Sequence, residues 1–148
     1  NYQQQFTFLP SPFDGFGFQG NVTFLDGEFD TQTVGGVQTT DIAFQGLSDT
    51  IGNASLYFEK YGLSARVSYQ WRTDWLDTLG GTGSGEFRKG YENLDVSLRY
   101  AINENLTVFA DAANLTDALY IAFEGDRSRP SEVEQIGSRY LFGIRFSY

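Results

Sequence analysis

Apolar and polar residues alternate along most of the chain, the period-two signature of strands whose two faces meet different surroundings. Tyr2, Phe6 and Phe8 fall on one face against Gln3, Gln5 and Thr7, and Phe16, Phe18, Val22 and Phe24 oppose Gln19, Asn21 and Thr23. Ala54, Leu56 and Phe58 stand against Asn53, Ser55 and Glu59; Leu63, Ala65, Val67, Tyr69 and Trp71 stand against Ser64, Arg66, Ser68, Gln70 and Arg72. Leu94, Val96, Leu98 and Tyr100 alternate with Asp95, Ser97 and Arg99. A sixth segment, Leu106 to about Phe123, is less regular because Phe109 and Asp111 share a face. The seventh sets Tyr140, Phe142, Ile144, Phe146 and Tyr148 against Arg139, Gly143, Arg145 and Ser147. The pattern predicts an all-β chain of about seven strands.

Residues directly opposite in an antiparallel pair point to the same face, so register can be tested on paper. Pairing Phe58 with Leu63 sets Leu56 against Ala65, Ala54 against Val67 and Ser55 against Arg66. Pairing Tyr100 with Leu106 sets Leu98 against Val108, Val96 against Ala110 and Arg99 against Thr107. Both hairpins keep their faces consistent. The second register makes Asp95 and Asp111 direct neighbours, with Arg99 two residues along.

Connections alternate strictly in length. Leu9–Pro12, Glu59–Gly62 and Ala101–Asn105 are short, whereas about Asp30–Thr50, Thr73–Gly90 and Glu124–Gly137 are long. A soluble sandwich would alternate polar and apolar residues just as well. Three features favour an antiparallel transmembrane β-barrel wall: tight turns gathered at one end, aromatics near strand ends (Trp71 with Trp75, Tyr91, Tyr100, Tyr140, Tyr148), and a last strand of five large apolar residues ending on an aromatic. With short turns in the periplasm, Tyr148 ends inside and Asn1 lies at the outer surface. Seven strands with a free end outside are expected to be the C-terminal arc of a larger barrel, since bacterial single-chain barrels have even strand numbers.

Composition narrows the function. The 148 residues suit one domain, 1–148. Nineteen acidic against ten basic residues give a net charge of -9, which lacks the footprint of a nucleic-acid binder. With no Cys and no His, disulfides, thiolate or imidazole catalysis and Cys- or His-based zinc sites are excluded. The 14 Phe, 9 Tyr and 2 Trp against 3 Pro reinforce strands. The longest apolar run, Ala118–Phe123, is far short of the roughly 20 residues of a membrane helix. Asn1-Tyr2-Gln3-Gln4-Gln5 has neither an initiator Met nor the basic and apolar regions of a signal peptide.

Specific residues then suggest a family. Asn114-Leu115-Thr116-Asp117 followed by Tyr120 resembles an element near the end of TonB-dependent outer-membrane receptors. Gly137 through Tyr148 is similar to their final strand, and Leu9-Pro10 through Phe16 to Asn21-Val22-Thr23-Phe24 is similar to one of their hairpins. Departures are Val22-Thr23 for the usual Tyr-Thr and Tyr148 for the commoner Phe; neither a plug domain nor a TonB box occurs. The resemblance implies a barrel of the 22-stranded type with a plugged lumen in a Gram-negative outer membrane. It implies uptake of a scarce nutrient (ferric siderophore, cobalamin or glycan) with energy from the TonB complex. No catalysis and no cofactor are expected. Partners would be membrane lipid, the plug and upstream strands of the same receptor, the TonB complex and a small-molecule nutrient. The family's assembly machinery would read the last strand through Phe142, Phe146 and Tyr148. Two other classes stay open: a small self-standing outer-membrane barrel with a structural or adhesive role, and a soluble β-sandwich binding module.

Residues that could carry chemistry also have structural readings. Gly80-Gly81-Thr82-Gly83-Ser84-Gly85 lacks the Lys-Ser/Thr ending of a phosphate loop and reads as a flexible outer loop. Asp26, Glu28 and Asp30 match no calcium loop and read as a solvated strand tip. Sequons at Asn21, Asn53, Asn105 and Asn114 have structural readings. The Asp95–Asp111 pair could be a general acid and base but has no cleft or metal motif beside it. Glu124 to Pro130, with Glu132 and Glu134, is a mixed-charge loop that reads as solvated rather than ligand-binding. In a barrel, Arg66, Arg72, Asp95, Arg99, Asp111 and Arg145 would face the lumen, and Val67, Leu98, Ile144 and Phe146 the lipid.

Overall fold

The computed structural model describes residues 1–29, 32–34, 37–39, 42–79 and 85–148. Its strands are β1 (Tyr2–Gln5), β2 (Phe16–Phe24), β3 (Glu28–Phe29), β4 (Gln32–Val34), β5 (Val37–Thr39), β6 (Ile42–Ala43), β7 (Thr50–Lys60), β8 (Leu63–Arg72), β9 (Trp75–Leu79), β10 (Gly85–Arg88), β11 (Tyr91–Asn103), β12 (Leu106–Ala113), β13 (Leu119–Glu124), β14 (Pro130–Gln135) and β15 (Arg139–Phe146). Among the described residues a single 3-10 turn, Phe13–Gly15, interrupts the all-β pattern.

Seven long strands form one antiparallel meander in the order β1-β2-β7-β8-β11-β12-β15. All seven expected strands are therefore present and adjacent in sequence order. The sheet is not closed: β1 and β15 lie at its two edges. Parity holds from edge to edge. Phe18, Leu56, Val67, Val96, Ala112 and Tyr140 are successive cross-strand partners on one face, and Gly17, Tyr57, Arg66, Ser97, Asp111 and Leu141 on the other.

Both hairpin registers are shifted by two residues from the sequence expectation. Lys60 faces Leu63, which puts Phe58 opposite Ala65, Leu56 opposite Val67 and Ser55 opposite Ser68. The reason is the turn: Tyr61 and Gly62 both take positive φ (55° and 74°), the two-residue geometry whose twist matches a hairpin. Tyr100 likewise faces Val108, Leu98 faces Ala110 and Arg99 faces Phe109, with an irregularity between Ala101 and Asn103. A shift of two preserves every face but changes every neighbour, so Asp111 stands opposite Ser97 and not beside Asp95.

The first and sixth strands are also corrected. The first ends at Gln5, where Phe6 donates its N–H to the Phe16 carbonyl and the chain turns. The sixth breaks at Asn114, with φ 57°, into β12 and β13. The segments expected as long loops carry structure of their own. Strands β9, β10, β13 and β14 form a second antiparallel sheet in the order β14-β13-β10-β9. Each continues a wall strand past the same end, β9 after β8, β10 before β11, β13 after β12 and β14 before β15. The neighbours keep their order across this seam, so the second sheet is a rim raised on the wall.

The most deeply buried apolar side chains described, Leu76, Ala122 and Phe123, are all in the rim. Phe87 stacks on Phe123 at 5.7 Å. By contrast, the wall leaves its apolar face uncovered. Val67, Leu98 and Leu56 are exposed, and Tyr140, Phe142, Ile144 and Phe146 are 63–74% exposed. The accessible surface is 9954 Å², where a folded monomer of this mass exposes about 7,600 Å².

Candidate functional site

The polar face of the wall and the seam beneath the rim hold most of the residues singled out in the sequence. Arg66, Arg72, Asp95, Arg99, Asp111 and Arg145 share the polar face, and Val67, Leu98, Ile144 and Phe146 share the apolar one. The six charges do not form one network. Arg99 reaches Asp111 at 3.7 Å, Arg66 lies over the Tyr57 ring at 5.6 Å, and Arg145 forms no ion pair among the described residues.

Asp95 stands apart from Asp111 and serves the turn at Asn114. Its Oδ1 accepts the Asn114 backbone N–H at 2.9 Å, and both carboxylate oxygens accept from Asn93 Nδ2 at 3.1 and 3.2 Å. Asn114 is 9% exposed and uses nearly all its capacity. Its Oδ1 accepts the Ala118 N–H at 2.9 Å, its Nδ2 donates to the Gly137 carbonyl at 3.2 Å, and its carbonyl accepts from Ser138 Oγ at 2.7 Å. The Leu115 N–H donates to the Leu94 carbonyl, Thr116 Oγ1 donates to the Glu92 carbonyl, and Asp117 Oδ2 accepts from Gln135 Nε2. The Asn114-Leu115-Thr116-Asp117 turn thus fastens β11, β12 and the approach to β15 where wall becomes rim.

Tyr120, the last residue of that motif, packs against Tyr91 with the rings tilted at 43° and centroids 4.9 Å apart, and Tyr91 meets Trp75 edge-on at 6.2 Å. Burial and the neighbouring Tyr91 raise the Tyr120 phenol above its ordinary value. Arg72 lies 3.7 Å over the Trp75 ring. Its Nε donates to Ser48 Oγ at 2.9 Å and its second terminal nitrogen to the Gly46 carbonyl at 3.1 Å, while Ser48 Oγ donates to the Thr73 carbonyl. Arg72 therefore pins the segment before β7 to the rim, helped by a Gly46 N–H bond to the Leu76 carbonyl. The aromatics expected as interfacial girdles divide accordingly: Trp71, Trp75, Tyr91 and Tyr140 sit at the seam end, Tyr100 toward the tight turns, and Tyr91 is on the polar face.

Beside the seam, Asp49, Asp74, Trp75, Phe87, Phe123 and Arg127 line part of an open cleft of about 520 Å³. Asp74 is committed there, accepting Arg127 Nε and the Gly90 N–H, each at 2.7 Å. Asp126 accepts the Ser128 backbone N–H at 2.8 Å, which holds its carboxyl below the usual range. Arg88 bridges Asp77 and Glu132, so Glu132 belongs to the rim and not to a loose loop. Of the glycine run, 80–84 lies outside the described residues, and Gly85 opens β10. Asp30 lies outside them too, so the acidic tip is not seen whole.

Sequence reasoning missed Ser48, Asn93 and the grouping of Trp75, Tyr91 and Tyr120. Asn93 Oδ1 is buried with no hydrogen-bond partner among the described residues. Only the parity of Tyr91 and Asn93 with Asp95 could have placed the last two on the polar face. Comparison with protein-family models, with curated proteins and with solved structures finds no match.

Proposed function

We propose that the chain is part of the wall of a TonB-dependent receptor in a Gram-negative outer membrane, the C-terminal arc of a barrel of the 22-stranded type. The receptor takes up a scarce nutrient and has no catalysis of its own. The observation that carries this reading is the seven-stranded meander with one apolar face left uncovered and one polar face, tight turns at one end and a built-up rim at the other. Lipid on the apolar face would account for the excess exposed surface. The sandwich alternative needs a second sheet across that face, and the second sheet present is instead a continuation of the first. The self-standing barrel needs β1 and β15 to pair, and among the described residues they are not paired. The Asn114 turn supports the family resemblance by giving its residues a shared structural task.

In this reading Val67, Leu98, Ile144 and Phe146 meet acyl chains. The polar face meets the lumen and a plug supplied by the rest of the receptor. The exposed stripe ending at Phe142, Phe146 and Tyr148 is offered to the assembly machinery. The test is to isolate the full-length gene product from outer membranes and ask for a heat-modifiable, protease-resistant barrel that needs detergent to stay in solution. A product that is soluble in plain buffer would overturn the reading.

A further inference from the structure

Four carboxamide side chains line up across the polar face. Asn21 on β2 is directly opposite Asn53 on β7, Asn53 is opposite Gln70 on β8, and Gln70 is opposite Asn93 on β11. The row runs at right angles to the strands and contains no charged residue. Among the described residues no side-chain hydrogen bond ties down the amides of Asn21, Asn53 or Gln70, and all three residues are exposed. Asn93, at the end of the row, is pre-set by the Asp95 carboxylate. The next row toward the tight turns, Gln19, Ser55, Ser68 and Asp95, is carboxamide and hydroxyl until it reaches Asp95. On the seam side, two residues along β11, Tyr91 leads into the Trp75 and Tyr120 rings.

This surface is chemically selective. A carboxamide both donates and accepts hydrogen bonds, as a sugar hydroxyl does. Neighbouring strands are about 4.8 Å apart, close to the length of one hexose unit in an extended chain, so the row offers one amide per sugar. Aromatic rings beside hydrogen-bonding groups suit the apolar and hydroxylated faces of a pyranose. An anionic iron chelate would seek cations instead, and the nearest guanidinium, Arg72, is committed to Ser48, Gly46 and Trp75. Of the other charges on this face, Glu59, Arg66, Arg99, Asp111 and Arg145 lie nearer the tight turns, and Arg139 stands on the far edge strand β15, opposite Ala113.

We infer that the Asn21–Asn53–Gln70–Asn93 row, with the Trp75–Tyr91–Tyr120 shelf above it, binds a neutral oligosaccharide laid across the strands. The inference rests on the receptor reading and names its substrate class as glycan. A plug packed on the same row is the competing occupant, and its backbone amides would satisfy the carboxamides without needing the aromatic shelf.

The test uses the full-length protein in detergent, with cellohexaose, xylohexaose and maltohexaose as neutral probes and ferric citrate as the anionic one, titrated by calorimetry. One hexasaccharide should bind in preference to ferric citrate. Asn53→Ala and Gln70→Ala should each weaken it about fivefold to tenfold, and the double variant more, while heat-modifiability is unchanged. Absence of binding to all three sugars overturns the inference, as does unchanged sugar affinity in the double variant. A double variant whose plug becomes trypsin-sensitive at unchanged sugar affinity assigns the row to the plug and overturns it as well. In each of these cases a heat-modifiable, detergent-requiring protein leaves the receptor reading standing, whereas a protein soluble in plain buffer removes both.

Discussion

Gly143 on β15 lies directly opposite Phe109 on β12, and the phenyl ring covers the place where a side chain would stand. A Cβ at Gly143 would fall well inside van der Waals contact with that ring. Tyr57 covers Gly17 and Trp71 covers Gly52 in the same way, each across its own strand pair. The ring fills the gap left by the glycine and shields an otherwise bare stretch of strand. Gly143→Val should displace Phe109 and destabilise the folded protein by about 1–3 kcal/mol in urea unfolding. Adding Phe109→Ala should recover part of that loss, because the clash disappears with the ring. Strictly additive losses would show that the two residues do not share the space.

These pairs mark the limit of what was legible in the sequence. Alternation shows which side of its strand each of Phe109 and Gly143 takes, and the cross-strand parity of β2, β7, β8, β11, β12 and β15 agrees with it. It does not show who faces whom, because a register shift of two leaves the pattern unchanged. The turn decides that, through Tyr61 at positive φ, a conformation uncommon for a residue with a ring. Rim strands β9, β10 and β14 were missed because they are short and lie in bulged pairings: β9 and β10 lose step between Glu86 and Phe87, which breaks the period-two signal, while β13 falls within the segment that reads as the sixth strand. Asp95 was paired with Asp111 on a register that does not form. Its partner Asn114 is 19 residues away, beyond any local pattern.

The Asp95–Asn114 bond makes a second prediction. Asp95→Ala removes a charged acceptor from a half-buried N–H and releases Asn93, and should cost about 1.5–3 kcal/mol. Asp95→Asn retains one acceptor oxygen and should cost less. Amide exchange at Asn114 and Leu115 reads the effect locally. If both variants lose protection equally, the charge on Asp95 is not what holds the seam.

Arg72 ties a segment distant in sequence to the rim through a flat guanidinium that donates to Ser48 and Gly46 while stacking on Trp75. Lysine offers neither the fork nor the plane. Arg72→Lys and Arg72→Ala should both make the chain around Gly46 open to protease, with the wall unfolding at nearly its original denaturant concentration. Protection retained in Arg72→Lys would mean that positive charge alone suffices.

The turn after β13 should respond to acid. The Ser128 N–H lowers the Asp126 carboxyl pKa, so the bond's contribution is present above the unfolded-state pKa and is lost as pH falls through the lowered folded value. Exchange protection at Ser128, taken relative to Asp126→Asn at each pH, should persist at pH 6 and disappear only below the ordinary carboxylate range. Loss of that difference near neutrality would contradict the assigned direction.

The two faces of the wall make the last prediction. Val67 is the fifth residue of the ten in β8, between Leu56 and Val96 on the apolar face, and is 41% exposed. Ser68 is its neighbour in sequence but points the other way, and its hydroxyl lies 2.9 Å from that of Ser55. If lipid covers the apolar face, Val67→Arg puts a guanidinium near mid-bilayer at a cost of about 2–4 kcal/mol, and assembly in the outer membrane should fail or weaken sharply. In the same reading Ser68→Arg loses one hydroxyl pair and would enter a watery lumen beside Gln70 and Arg66, so the protein should still fold and remain heat-modifiable. Residue size and charge are matched between the variants, which leaves the surroundings of the two faces as the difference under test. Equal tolerance at both positions would remove lipid from the apolar face and with it the membrane reading. Failure at Ser68 alone would mean that the two faces have been assigned the wrong way round.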